Sequence, residues 1–255
     1  MKTTSEISVQ PPGITRAYQR WFSPHLNREM ELLVFGTGGT PVIFFPTRMA
    51  RFYDYEDWGV IASLQEKIMG GHIQVVCLDS IDYESFYNKS ISPSERILRH
   101  IEFESYVLDE VIPFIKESNP AQHLISAGCS LGAYHAMNIY LRNPHLFIKM
   151  VGMSGRYDLT IQMDYFDDLF EGYWDENIYY NMPMQYVANL KDQKLIDNLK
   201  HGEIIMAVGE EDAFVDFNMQ MSNILSEKDI PNALHLWNGE AHKAKYWSRM
   251  VQWYL

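Results

Sequence analysis

Gly128-Cys129-Ser130-Leu131-Gly132 sets a serine between two glycines, with the mostly apolar run His123 to Ala127 before it and the helix-like stretch Leu131 to Arg142 after it. That arrangement predicts a very tight turn from a buried strand into a helix. The serine backbone is strained there and its hydroxyl stands clear of the sheet, while side chains at the flanking positions would clash. A helix starting at Leu131 would aim its unpaired N–H groups and positive dipole end at whatever reacts with Ser130. The pattern is that of a nucleophile elbow.

Working outward, the chain alternates short apolar runs with helical periodicities, the signature of an α/β protein with a mostly parallel central sheet covered on both faces. Strands are expected at 16–22, 28–35, 42–45, 74–78, 123–127, 148–153, 204–208 and 234–237, about eight in all, the first two as an antiparallel hairpin. Helices are expected near 56–69, 93–117, 131–142, 216–228 and 242–254. The second opens with Ser92-Pro93-Ser94-Glu95, a capping box with proline at the first helical position, and Pro113 is expected to kink its end. Residues 155–202 lose this rhythm and are rich in aromatics and acids, as expected of an insertion that forms a lid or pocket wall on a single domain spanning 1–255.

Composition narrows the function. A formal charge of −12 and few basic residues argue against a nucleic-acid partner, whose phosphates would need Lys and Arg. No run approaches the ~18 apolar residues of a membrane span, and no signal peptide is visible, so the expectation is a cytoplasmic protein. Cys77 and Cys129 fall in or beside predicted buried strands and are expected to be reduced. Gly36-Thr37-Gly38-Gly39 precedes a strand rather than a helix, which disfavours a dinucleotide site.

A serine hydroxyl needs a base to take its proton and a carboxylate to orient that base. Both follow Ser130 in the chain. Ile204 to Val208 reads as a buried strand, and Gly209-Glu210-Glu211-Asp212 puts Asp212 beyond its end, with Glu210 and Glu211 as alternatives. Leu234 to Trp237 leads to Asn238-Gly239-Glu240-Ala241-His242, and among nine histidines His242 is the one on a strand-to-helix loop. His235 lies mid-strand and His135 within the helix after the elbow. Charge developing on a substrate carbonyl oxygen would be met by the backbone N–H of Leu131 and by one from the loop after residue 45, taken as that of Arg48, with Thr47 and Met49 as neighbours that could replace it. Aromatic rings at 52–58, 83–87 and 165–180 suggest an apolar, aryl-accepting pocket, although core packing accounts for most such rings.

Phe45-Pro46-Thr47, Arg51-Phe52-Tyr53-Asp54-Tyr55-Glu56-Asp57, the elbow followed by Ala133, and Ala241-His242 with Tyr246-Trp247 resemble the "putative esterase" family of α/β-hydrolases. That family includes esterase D-like, enterochelin-esterase-like and feruloyl esterases and the antigen 85 mycolyltransferases. The resemblance implies an α/β-hydrolase fold and hydrolysis of a small-molecule carboxylic ester by a serine esterase through Ser130, Asp212 and His242, without metal or organic cofactor. The chain lacks the His-Gly pair of esterase D-like members in the loop after residue 45, which argues against S-formylglutathione. An acyltransferase using the same acyl-enzyme is the alternative, and a non-catalytic binding protein of the same fold a more distant one.

Overall fold

The computed structural model describes residues 4–10, 13–163 and 165–255. Among the described residues nine strands form one sheet in the order β1-β2-β3-β5-β4-β6-β7-β8-β9. They are β1 Thr4–Gln10, β2 Ile14–Ser23, β3 Arg28–Phe35, β4 Thr40–Phe45, β5 Ile73–Leu78, β6 Leu124–Cys129, β7 Phe147–Met153, β8 Glu203–Gly209 and β9 Ala233–Trp237. From β5 to β9 all neighbours are parallel, and β3, β2 and β1 extend the sheet antiparallel at the β5 edge. Eight strands lie where the hydrophobic runs predicted. The ninth, β1, is too polar to announce itself and is defined by its pairing with β2, in register from Thr4 opposite Arg20 to Gln10 opposite Ile14.

Strand side chains alternate between two cores. Ile43 and Phe45 face one side, with Val76, Leu78, Met150 and Met206, and Val42 and Phe44 face the other, with Val75, Cys77, Val151 and Ala207. Because both faces are covered, these strands read as continuous apolar runs. The second face is covered by the short helices α1 Asp54–Asp57, α2 Val60–Ser63 and α3 Gln65–Met69, together with a C-terminal helix. The sequence suggested one helix over 56–69. Gly59, at φ +75°, reverses the backbone after Trp58 and divides it.

The first face is covered by α4 Pro93–Tyr106, α5 Ile112–Ser118 and α6 Leu131–Arg142. Ser92 and Glu95 form the expected capping box. The helix expected over 93–117 runs without a gap through a π-helical turn, Val107–Val111, and Pro113 follows directly after that turn, in α5. Between β7 and β8 the segment expected as an insertion holds α7 Glu176–Tyr179, α8 Pro183–Ala188 and α9 Gln193–Leu199. It packs on α4 and α6 through Leu159, Leu169, Phe170, Ile178 and Met182. Arg96 clamps it: Nη1 donates to the Leu169 carbonyl at 3.0 Å and to Glu171 at 2.9 Å. After β8 and β9 come α10 Val215–Glu227 and α11 Ala244–Tyr254.

The π turn carries Glu110, which is buried and joins the antiparallel edge to the helical layer. It accepts from Trp21 Nε1 at 2.7 Å and from the Ser23 hydroxyl at 2.6 Å, and both of these residues are buried. Replacement by alanine strands two buried donors. Glu110→Ala is expected to cost about 2–4 kcal/mol of unfolding free energy, read from urea denaturation, and Glu110→Gln, whose amide oxygen still accepts, distinctly less.

Candidate active site

Ser130 follows β6 and caps α6 with φ 55° and ψ −118°, an unfavourable backbone for a residue bearing a Cβ. Two close approaches hold it there. A Cβ on Gly128 would lie 2.2 Å from the Gly132 carbonyl, and one on Gly132 would lie 2.4 Å from the Phe45 carbonyl oxygen. The two glycines therefore let the end of β6, the start of α6 and the end of β4 meet backbone to backbone. Tyr55, buried and stacked on Phe44 at 4.0 Å, ties the same strands: its hydroxyl donates to the Phe45 carbonyl at 2.8 Å and accepts from the Cys129 N–H at 3.2 Å. In the sequence Tyr55 stands only as one residue of the 51–57 motif. Its role depends on a fold that stacks α1 over the β4–β6 pair.

The elbow opens on a cleft of about 240 Å³ lined by Ser130, Leu131, Thr47, Tyr87, His242 and Trp247, among others. The Ser130 hydroxyl has no hydrogen bond to a described residue. Such bonds are commonly loose before substrate binds.

The loops after β8 and β9 bring the predicted acid and base together. A Cβ on Gly209 would lie 2.2 Å from the Glu240 carbonyl oxygen, so glycine allows the two loops to touch. Asp212 has a wholly buried side chain, accepts from the Phe214 N–H at 2.9 Å and lies 3.1 Å through each carboxylate oxygen from His242 Nδ1. Glu210 and Glu211 are exposed and make no such contact. The His242 ring meets Phe214 and Trp247 edge to face at 5.3 and 5.5 Å, which restricts its rotation. α11 starts two residues beyond the expected boundary, leaving His242 on the loop. The other two histidines weighed lie elsewhere. His235 stacks on Tyr254, and His135 sits in an aromatic cluster where burial pushes its pKa down to about 3.

After β4, the Ala50 N–H donates to the Thr47 carbonyl and closes a turn in which Met49 takes a left-handed φ of 58°. The Met49 N–H donates to Asp82 Oδ2 at 2.5 Å, so it is not available to a ligand. The Arg48 and Leu131 N–H groups have no acceptor among the described residues. Asp82 is buried, and desolvation raises its pKa to about 7 against the Met49 hydrogen bond. Nothing in the local sequence marked Asp82, because the β4 and β5 loops meet only in the fold.

Of the aromatic residues expected around the pocket, Tyr87 and Phe166 line it. Phe52, Tyr55 and Phe170 are core residues, and Tyr83, Tyr165, Trp174 and Tyr180 are exposed. Both cysteines are free and buried. No group of three or more His, Cys, Asp or Glu suited to a metal occurs among the described residues, and none of their helices is long and apolar enough to cross a membrane.

Known structures share this architecture. An S-formylglutathione hydrolase from Agrobacterium tumefaciens superposes with a TM-score of 0.76 at 17% identity, over 99% of this chain and 96% of the other. A ferulic acid esterase gives 0.74 at 15% identity over 98% and 96%. A fluorophosphonate-binding serine hydrolase, FphF of Staphylococcus aureus, gives 0.67 at 14% identity over 94% and 96%. No curated protein sequence matches the chain. Residues 23–250 match the sequence profile of the family described as "Putative esterase". The chain belongs to that Esterase family, and with the α/β-hydrolase fold it shares with those enzymes it is a carboxylic ester hydrolase.

Proposed function

We propose that the protein hydrolyses a small-molecule carboxylic ester through an acyl-enzyme on Ser130, with His242 as general base and then acid and Asp212 as the residue that orients it. The observation that carries this reading is the buried Asp212 carboxylate 3.1 Å from His242 Nδ1, with His242 and Ser130 on one cleft. A bond from Nδ1–H to a carboxylate leaves Nε2 as the acceptor for a serine proton and stabilises the imidazolium that follows. Ser130 attacks the ester carbonyl, His242 returns the proton to the leaving alkoxide, and water enters by the reverse exchange. The unpaired N–H groups of Leu131 and Arg48 are assigned to the oxyanion. The positive end of α6 adds to the same field. One domain supplies all of these groups, and the 155–202 segment contributes a wall through Arg156 and Phe166.

Asp82 is read as the positioning residue of the oxyanion turn, since its carboxylate takes the Met49 N–H while the preceding N–H, that of Arg48, has no acceptor among the described residues. Its ionisation opposes folding. With a folded pKa of about 7 above the unfolded value near ~3.9, the native state holds the proton more tightly, so the penalty is absent below ~pH 4 and full above about pH 7.

Fluorophosphonate labelling tests the nucleophile. The wild type should label and Ser130→Ala should not, and turnover of simple aryl esters should fall by roughly 10⁴-fold or more in Ser130→Ala and about as far in Asp212→Asn, which favours the wrong tautomer. An unlabelled wild type would remove the assignment. For Asp82, Asp82→Ala should lower kcat by about tenfold or more while Asp82→Asn, which keeps an acceptor, loses less. Thermal denaturation should find Asp82→Asn more stable than wild type at pH 8, with the difference shrinking towards pH 4.

A further inference from the structure

Arg156 follows β7 and is 4% exposed, yet it lines both the Ser130 cleft and an adjoining hollow of about 110 Å³. Its hydrogen bonds do not neutralise it. Nη2 donates to the carbonyls of Ile161 at 2.8 Å and Asp167 at 2.7 Å, which are uncharged acceptors. Nε is buried with no partner, and Nη1 bonds to no described residue. A guanidinium stays charged under all ordinary conditions, so it cannot escape desolvation by losing its proton.

The neighbouring acids among the described residues are engaged elsewhere. Asp158 accepts from Thr160 and Gln185, Asp167 pairs with Lys89, and Asp168 accepts the N–H groups of Phe170 and Gly172. None lies within ion-pair distance of Arg156. Tyr87 lines the cleft beside it, and the face of Phe166 has its centroid 5.8 Å from the guanidinium carbon. Burial weakens its hold on the proton, the direction expected of a buried cation short of counter-charge. Arg48, exposed on the oxyanion turn and 6.0 Å from the Tyr87 ring centroid, borders the same cleft without an ion pair to a described residue. Two cations with no carboxylate partner among the described residues beside the nucleophile are unexpected in a chain with a net charge of −12.

We infer that Arg156, with Arg48 at the rim, forms an anion subsite, and that the substrate is an ester carrying a second, negatively charged oxyanion group such as a carboxylate or phosphate. The inference rests on the esterase reading above and specifies its substrate class. Binding replaces the missing counter-charge with charge-assisted hydrogen bonds. Removal of that group from the substrate leaves the guanidinium buried and unpaired, so discrimination appears chiefly in KM.

The test uses the purified full chain and two matched pairs of esters. Mono-p-nitrophenyl glutarate is set against its methyl-capped counterpart, placing the charge on the acyl side, and 4-acetoxybenzoate against its methyl ester, placing it on the leaving group. In one pair the anionic member should have a kcat/KM at least about tenfold higher, and Arg156→Gln should bring the ratio to near unity, with Arg48→Gln lowering it partly. If Arg156→Gln does not fold, inhibition of the wild type's neutral-ester turnover separates the outcomes: glutarate or phenyl phosphate should compete and glutaramide should not, and the two anions distinguish carboxylate from phosphate. Turnover of neutral esters with no anionic preference and no anion competition, or a preference that survives Arg156→Gln, would overturn the subsite and leave the esterase intact. Turnover of none of the four esters would overturn the function itself, and this inference with it.

Discussion

The backbone contact among β4, β6 and α6 is the constraint on which the rest of the site depends. Gly128 and Gly132 let three chain segments come within van der Waals distance, and that contact sets the strained Ser130 at the carboxyl edge of the sheet. The same contact places the start of α6 beside the end of β4, so two N–H groups without an acceptor among the described residues, those of Leu131 and Arg48, are brought to one cleft. Tyr55 bridges the two strand ends and resists their separation, which helps the fold sustain an elbow conformation worth about 1–3 kcal/mol of strain.

Around this centre, burial decides what each charged group does. Asp212 is buried but satisfied by His242 and a backbone N–H, so its carboxylate is fixed against the imidazole. Asp82 is buried with the Met49 N–H as its hydrogen-bond donor, and it carries a destabilising charge in order to hold a turn. Arg156 is buried on the wall of the cleft without a counter-ion among the described residues. Charges that oppose folding concentrate where a protein binds or reacts, because stability is lost there in exchange for preorganisation.

The sheet was legible because strands covered on both faces must be apolar throughout, as Val42 to Phe45 and Ile204 to Val208 are. β1 was not, since an edge strand needs only a partner's backbone and bears no hydrophobic signature. The single helix expected over 56–69 is instead three short ones, because apolar spacing persists across Gly59 while the backbone turns there. The π turn at Val107–Val111 was equally hidden: a shift of one residue in helical hydrogen bonding leaves composition unchanged, and it was Glu110, anchored to Trp21 and Ser23, whose partners lie far away in the chain.

By itself the sequence determined the strand–elbow–helix unit, the α/β layering, and an acid and a histidine after the elbow in the order that places them at strand ends. Those are local properties, set by glycine's missing Cβ, by hydrophobic period and by turn residues. Only the tertiary structure decided that Asp212 rather than Glu210 or Glu211 meets His242, that Met49's N–H is taken by Asp82, and that the buried Arg156 lines the same cleft as Ser130. Each of these is a contact between segments separated by tens of residues. Its energy depends on burial and distance, which no local pattern encodes until the sheet has brought the loops together.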